Sequence, residues 1–217
     1  MKIAVLLAGS GVFDGSEIYE TTLALLALDR ADVSYQCMAP NIAQAHVINH
    51  ITGEEMPGEK RNVLVESARL ARGAIIDLSV ANAEDYDALI VPGGFGVAKN
   101  LCNFAFKGAE MEIDLQVRDF IREVHQAGKP VGLICIAPTM AAKLFGEGTR
   151  CTIGSNAEVA AAIEEMGGQH VQCPVDEFVV DEEKKLVTTP AYMEGNRLRE
   201  AAAGIEKLVA KVIELAN

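Results

Sequence analysis

Basic residues are scarce in this chain of 217 residues: 19 Lys and Arg stand against 31 Asp and Glu, a formal net charge of −12. That acidity argues against nucleic acid and anionic membranes as partners, since neutralising their phosphates needs clustered Lys and Arg. No apolar run approaches the roughly 18 residues of a membrane span. Only four histidines are present, none in a His-Glu-x-x-His pair. The five cysteines, Cys37, Cys102, Cys135, Cys151 and Cys173, lie 65, 33, 16 and 22 residues apart, none of them a metal-ligand spacing. Neither a metal nor another cofactor is expected. An odd number of sparse cysteines also argues for free thiols in a reducing compartment, read here as the cytoplasm.

What is present is ordinary globular composition, 50% hydrophobic and 23% charged. The length fits one domain over residues 1–217, with a core that needs no disulfide or metal. Met1 to Gly9 reads as an opening strand rather than a signal peptide, because its apolar stretch ends at Ala8 and runs into Gly-rich acidic sequence. Apolar strands then alternate with helical patterns: Ile3–Ala8, Val33–Ala39, Ala88–Val91, Val131–Cys135 and Cys151–Ile153. Phe178–Val180 and Leu186–Thr188 flank a charged turn and form a C-terminal hairpin.

Helices are marked by apolar periodicity. Val117, Phe120, Ile121 and Val124 follow i, i+3, i+4, i+7, with Gly128 and Pro130 as the stop. Ser155 and Glu158 read as a capping box, and Leu198, Ala202, Ile205, Leu208, Val209 and Val212 share one face. The expected fold is α/β: a doubly wound, mainly parallel sheet with helices on both faces. An extended segment at 40–73, with a helix around Val63–Arg72, is long for one βα connection. Such segments serve as a lid or rim over a site, or as surface decoration.

Ligands of open α/β sheets bind beyond the carboxyl ends of strands. Three loops there carry suggestive residues. After the first strand, Ser16 reads as an N-cap and Glu17 as a first-turn residue. After the third, Pro92-Gly93-Gly94 offers exposed backbone N–H groups. After the fourth, Cys135 stands at a strand-to-helix turn, whose unpaired N–H groups favour a thiolate.

These loops, in this order, resemble the ThiJ/PfpI superfamily, which has a flavodoxin-like, class I glutamine amidotransferase-like fold. The resemblance covers essentially the whole chain and is nearest to the ElbB branch, associated with isoprenoid biosynthesis and cofactor-independent glyoxalase activity. It is carried by GVFDGSEIYE (11–20), VINHITGEEM (47–56), RNVLVESARLARG (61–73), ALIVPGGFGVAKNLCNFA (88–105), GLICIAPTM (132–140) and VTTPAYM (187–193). It implies that Cys135 is the elbow nucleophile and Glu17 its neighbouring carboxylate, with Gly94 and Ile136 N–H as the oxyanion hole. His50 and Asn100 are rim candidates. It also implies a homodimer.

The chain departs from relatives in four places. Ile136 stands where peptidase-like members place His, no His follows His170, Gly154-Ser155-Asn156 replaces a loop that often holds His in glyoxalases, and Leu133 stands in the elbow where a small residue is usual. Each singled-out residue also has a structural reading. A lone Cys in an apolar strand is ordinarily a core thiol, and Glu17 suits a helix N-terminus.

The function implied is glyoxalase-like conversion of a small-molecule aldehyde, glyoxal or methylglyoxal, to a 2-hydroxy acid, with deglycase activity having the same residue requirements. Cys135 adds to the aldehyde, and Glu17 moves the carbon-bound proton. Lowering a thiol pKa by about three units raises the thiolate fraction roughly thirtyfold at neutral pH. Reduced nucleophilicity takes back about sixteen- to thirtyfold. An oxyanion donor supplies about 10²–10³, so Gly94 and Ile136 are the stronger contribution. The alternative is a redox-responsive or binding protein whose reactive Cys135 turns over little.

Overall fold

The computed structural model describes residues 1–217. Its strands are β1 (Lys2–Leu6), β2 (Ser34–Ala39), β3 (Ile75–Asp77), β4 (Ala88–Val91), β5 (Val131–Ile134), β6 (Arg150–Cys151), β7 (Gln169–His170), β8 (Val179–Asp181) and β9 (Leu186–Thr189). The helices are α1 (Ile18–Arg30), α2 (Val63–Leu70), α3 (Phe104–Lys107), α4 (Leu115–Gln126), α5 (Ala141–Phe145), α6 (Ala157–Glu165) and α7 (Leu198–Ala216). None is long and apolar enough to cross a membrane.

Seven strands form the central sheet in the order β3-β2-β1-β4-β5-β9-β8. All neighbours are parallel except the β8–β9 hairpin, where Val180 faces Val187. The doubly wound sheet with its C-terminal hairpin is thus as the sequence indicates. β4, β5 and β9 are buried at every residue, because helices cover both faces and leave no solvated side. Forty-nine buried residues make one contiguous cluster, so the sheet and its helices share a single core.

α4 shows how the sequence sets an element. Asp114 caps it by accepting hydrogen bonds from Gln116 and Val117 N–H, and Val117, Phe120, Ile121 and Val124 are buried. Each such burial contributes about 1.5–3 kcal/mol. Gly128 ends it with φ +73°, a left-handed conformation that costs glycine little.

Several expectations need correction. Cys151 belongs to a separate two-stranded sheet, β6 with β7, and not to the main sheet. The hairpin strand β9 already occupies the edge beside β5, and Thr152 N–H bonds instead to the Thr188 hydroxyl at 3.0 Å. β3 is too short and too mixed to show a strand pattern. Ser16 does not cap α1: its hydroxyl accepts from Ala8 N–H at 2.8 Å, and Glu17 is the N-cap. Asn156, rather than Ser155, caps α6, accepting from Val159 N–H at 3.0 Å.

Candidate active site

The chain order reverses at β1 and β4: β2 and β3 lie on one side, β5 and β9 on the other. A crevice at such a switch point is where open α/β sheets bind ligands. The loops after β1 and β4 are laced together there. Glu17 N–H donates to Gly93 O at 2.9 Å, Phe95 N–H to Val12 O at 2.8 Å, and Gly96 N–H to Gly15 O at 2.9 Å. Gly94 has φ +99°, and a side chain there would meet Gly15 O at 2.3 Å and Glu17 N at 2.4 Å. Glycine alone permits that approach.

Cys135 follows β5 as a left-handed residue, φ +64°, a conformation that costs a non-glycine residue about 1–3 kcal/mol. The turn swings the thiol out of strand register, while Cys135 N–H stays bonded to Thr189 O at 2.9 Å. The N–H groups of Gly94 and Ile136 lie beside the sulfur and favour its ionised form. The structure therefore brings together three of the expected residues: Cys135, Gly94 and Ile136.

The carboxylate at the thiol is Glu20, not Glu17. Glu20 and Cys135 flank Gly93 together, and each acts on the other's acidity. Glu20 Oε2 accepts from Gly93 N–H at 3.0 Å and Oε1 from Tyr192 N–H at 3.2 Å. A side chain at Gly93 would press on both partners, 2.3 Å from Cys135 Cβ and 2.6 Å from Glu20 Oε2. Glu17 is drawn away by its own role as N-cap, its Oε2 accepting from Glu20 N–H at 2.7 Å. A signal for Glu20 existed in the sequence. It stands at i in the buried stripe Glu20, Ala24, Leu28 of α1, where a carboxyl needs partners.

Burial reverses the expected thiol acidity. Glu20 has no solvent exposure, and burial, with the neighbouring Glu17 charge, pushes it up to about 8. Burial and the Glu20 charge also push Cys135 well above the usual thiol range, against the pull of the two N–H donors. The helix expected to favour the thiolate begins only as a short 3₁₀ turn, Ala137–Met140, before α5. Burial also raises Glu17, opposed by the N–H groups of Glu20, Tyr19 and Ile18.

His50 and Asn100 both bond to the loop after β1. Asn100 Nδ2 donates to Ala8 O at 2.9 Å and Asp14 O at 3.0 Å, and its Oδ1 accepts from Ala45 N–H at 2.9 Å. It thereby ties the 40–73 segment to the loop after β1. Half-exposed His50 sets its Nδ1 3.0 Å from Ile48 O and accepts from Phe13 N–H at 3.3 Å through Nε2. Buried Asp14 fixes the same segment by accepting from Ile48 N–H at 2.8 Å. Asp14 Oδ1 stands 3.8 Å from His50 Nε2. Where glyoxalases often hold His, Glu194 packs against Gly154. No group of three or more His, Cys, Asp or Glu side chains is placed to hold a metal ion.

The DJ-1/PfpI family model matches residues 1–198. A Homo sapiens relative, glutamine amidotransferase-like class 1 domain-containing protein 3, mitochondrial, is 44% identical over 99% of this chain and 83% of its own length. The structure of an isoprenoid biosynthesis protein with amidotransferase-like domain from Ehrlichia chaffeensis superposes with TM-score 0.93 at 37% identity, covering 100% of both chains. Glyoxalase III from Candida albicans shares the fold, with TM-score 0.64 at 14% identity, covering 99% of this chain and 97% of its own. The cytoplasmic assignment is corrected by the human relative and by the rat and zebrafish ES1 proteins, all named as mitochondrial. Free thiols speak to redox conditions and do not identify a compartment.

Proposed function

The chain belongs to the DJ-1/PfpI family, and on that premise we propose that it is a cofactor-independent, glyoxalase-like enzyme for α-oxoaldehydes. The observation that carries this reading is the buried Glu20–Cys135 pair facing two backbone N–H donors. Near neutral pH the pair retains the carboxyl proton. Passing the thiol proton toward solvent leaves one negative charge shared between sulfur and carboxylate.

The sulfur attacks the aldehyde carbon of methylglyoxal. A C–S bond forms, the carbonyl electron pair moves to oxygen, and that oxygen takes the Glu20 carboxyl proton, giving a hemithioacetal and leaving Glu20 as carboxylate. Gly94 and Ile136 N–H stabilise the developing oxyanion, work worth about 10²–10³ in rate per donor. Glu20 carboxylate removes the proton from the sulfur-bearing carbon and returns one to the neighbouring carbon through an enediol. General acid–base transfer of this kind supplies about 10²–10⁴. The product is a thioester of the 2-hydroxy acid, which water cleaves to free acid and thiol. Protein-bound aldehyde adducts require the same groups, so a deglycase reaction is included in this reading.

Incubating the purified chain with methylglyoxal and following lactate tests it: the chain should form lactate, and Cys135→Ser should form none. A second reading has its own support in the missing loop histidine, where Glu194 packs against Gly154. If wild type forms no lactate but peroxide oxidises Cys135 ahead of the other thiols, the protein is a redox-responsive one.

A further inference from the structure

We propose that the cleft between α4, α5 and the turn after β4 binds a small polyanion, carrying phosphate or several carboxylate groups. This cleft has a volume of about 680 Å³ and is separate from the Cys135 elbow in its lining. The size suits a metabolite rather than a lone ion.

Its floor is fixed and largely buried. Cys102 and Ile113 form an antiparallel bridge, and Asp114 N–H donates to Leu101 O at 2.9 Å. Its walls are cationic. Arg118 and Arg122 are one turn apart on α4, Lys143 projects from α5, and Lys99 closes one end. Arg122 Nη2 donates to Lys143 O at 2.7 Å, which fixes the two helices relative to each other.

Charge sets this cleft apart in a chain of net −12. Four cations face two acids there, Glu112 and Asp114. The Asp114 Oδ1 is already engaged by Gln116 and Val117 N–H. Of the four, only Arg118 has a carboxylate within ion-pair distance, its neighbour Asp119 at 2.7 Å. Lys99 and Arg122 instead bond to backbone carbonyls. Like charges at i, i+4 repel on a helix, and an anion between them reverses that cost. Guanidinium groups bind paired oxygens in a bidentate manner, which favours phosphate and carboxylate over halide.

Calorimetric titration of the full chain with inorganic pyrophosphate, and separately with citrate, tests the site. The expected result is saturable binding to one site, weakening as salt rises. Arg122→Gln and Lys143→Gln should each weaken it at least about tenfold, the loss of one charge-assisted contact. Lys60→Gln, which removes an exposed charge outside the cleft, should leave it within about twofold. Lys143→Gln keeps the backbone bond to Arg122, so it reads binding even where Arg122→Gln perturbs folding. Tighter pyrophosphate identifies a phosphorylated ligand and tighter citrate a polycarboxylate; either supports the cleft. Absence of saturable binding to both probes at about 10 mM overturns the proposal. So does equal weakening by Lys60→Gln, which would reduce the effect to bulk charge.

Discussion

Glu20 and Cys135 meet at the crevice as a buried carboxyl–thiol pair, with Glu20 fully buried and fixed by the N–H groups of Gly93 and Tyr192. Two acidic groups in one buried site cannot both ionise cheaply, so both are held toward their protonated forms. The pair therefore sets the pH range of the chemistry.

Glu20 makes folding stability fall with pH. Its ordinary value of 4.5 is raised to about 8 in the folded chain, so the folded state binds the proton more tightly. The contribution is complete below pH 4.5 and is lost as pH rises to 8. A shift of this size corresponds to on the order of 5 kcal/mol. Glu20→Gln cannot ionise, and its amide faces an N–H where a carboxyl oxygen did, a cost that does not vary with pH. Urea unfolding between pH 5 and 8.5 should show the variant gaining on wild type as pH rises. Parallel profiles would contradict the raised carboxyl.

Thiol labelling reports the same pair from the other side. Burial and the Glu20 charge both raise Cys135. Glu20→Gln removes the second cause and leaves the first. Iodoacetamide labelling of Cys135, followed by mass spectrometry, should therefore shift to lower pH in Glu20→Gln. A Glu20→Gln profile unchanged or shifted to higher pH would separate the two groups.

Gly93→Ala places a methyl group against both partners, at 2.3 Å from Cys135 Cβ and 2.6 Å from Glu20 Oε2. Overpacking of this kind costs about 1–3 kcal/mol and displaces the groups it touches. Gly58→Ala meets nothing within 4 Å and serves as the control. Turnover in Gly93→Ala should fall at least about tenfold, since small misplacements at a reacting centre are expensive. A variant with wild-type turnover would show that the Glu20–Cys135 spacing is not critical.

The centre of the sheet was legible because β4 and β5 are buried at every residue and read as apolar runs, as in Leu89, Ile90 and Val91. The elbow was legible too, since Cys135 and the Pro92-Gly93-Gly94 turn have local signatures. The choice between Glu17 and Glu20 was not. Both acids fall in one helical turn, and only the direction of α1 decides which faces the thiol. Glu17 capped the helix in place of Ser16 because the Ser16 hydroxyl was taken by Ala8 N–H, a contact across the loop that no local pattern reveals. The raised thiol was hidden for the same reason, because desolvation depends on what the whole fold places around Cys135.

Methylglyoxal turnover in Glu20→Gln beside Glu17→Gln tests the central claim most directly. Glu17 caps α1 and does not bond to the thiol, so its variant should lose about 0.5–2 kcal/mol of stability while keeping most turnover. Glu20→Gln should lose at least about a hundredfold, the low end for general acid–base catalysis. Wild-type turnover in Glu20→Gln, or a hundredfold loss in a folded Glu17→Gln alone, would contradict the assignment of Glu20 as the proton carrier at Cys135.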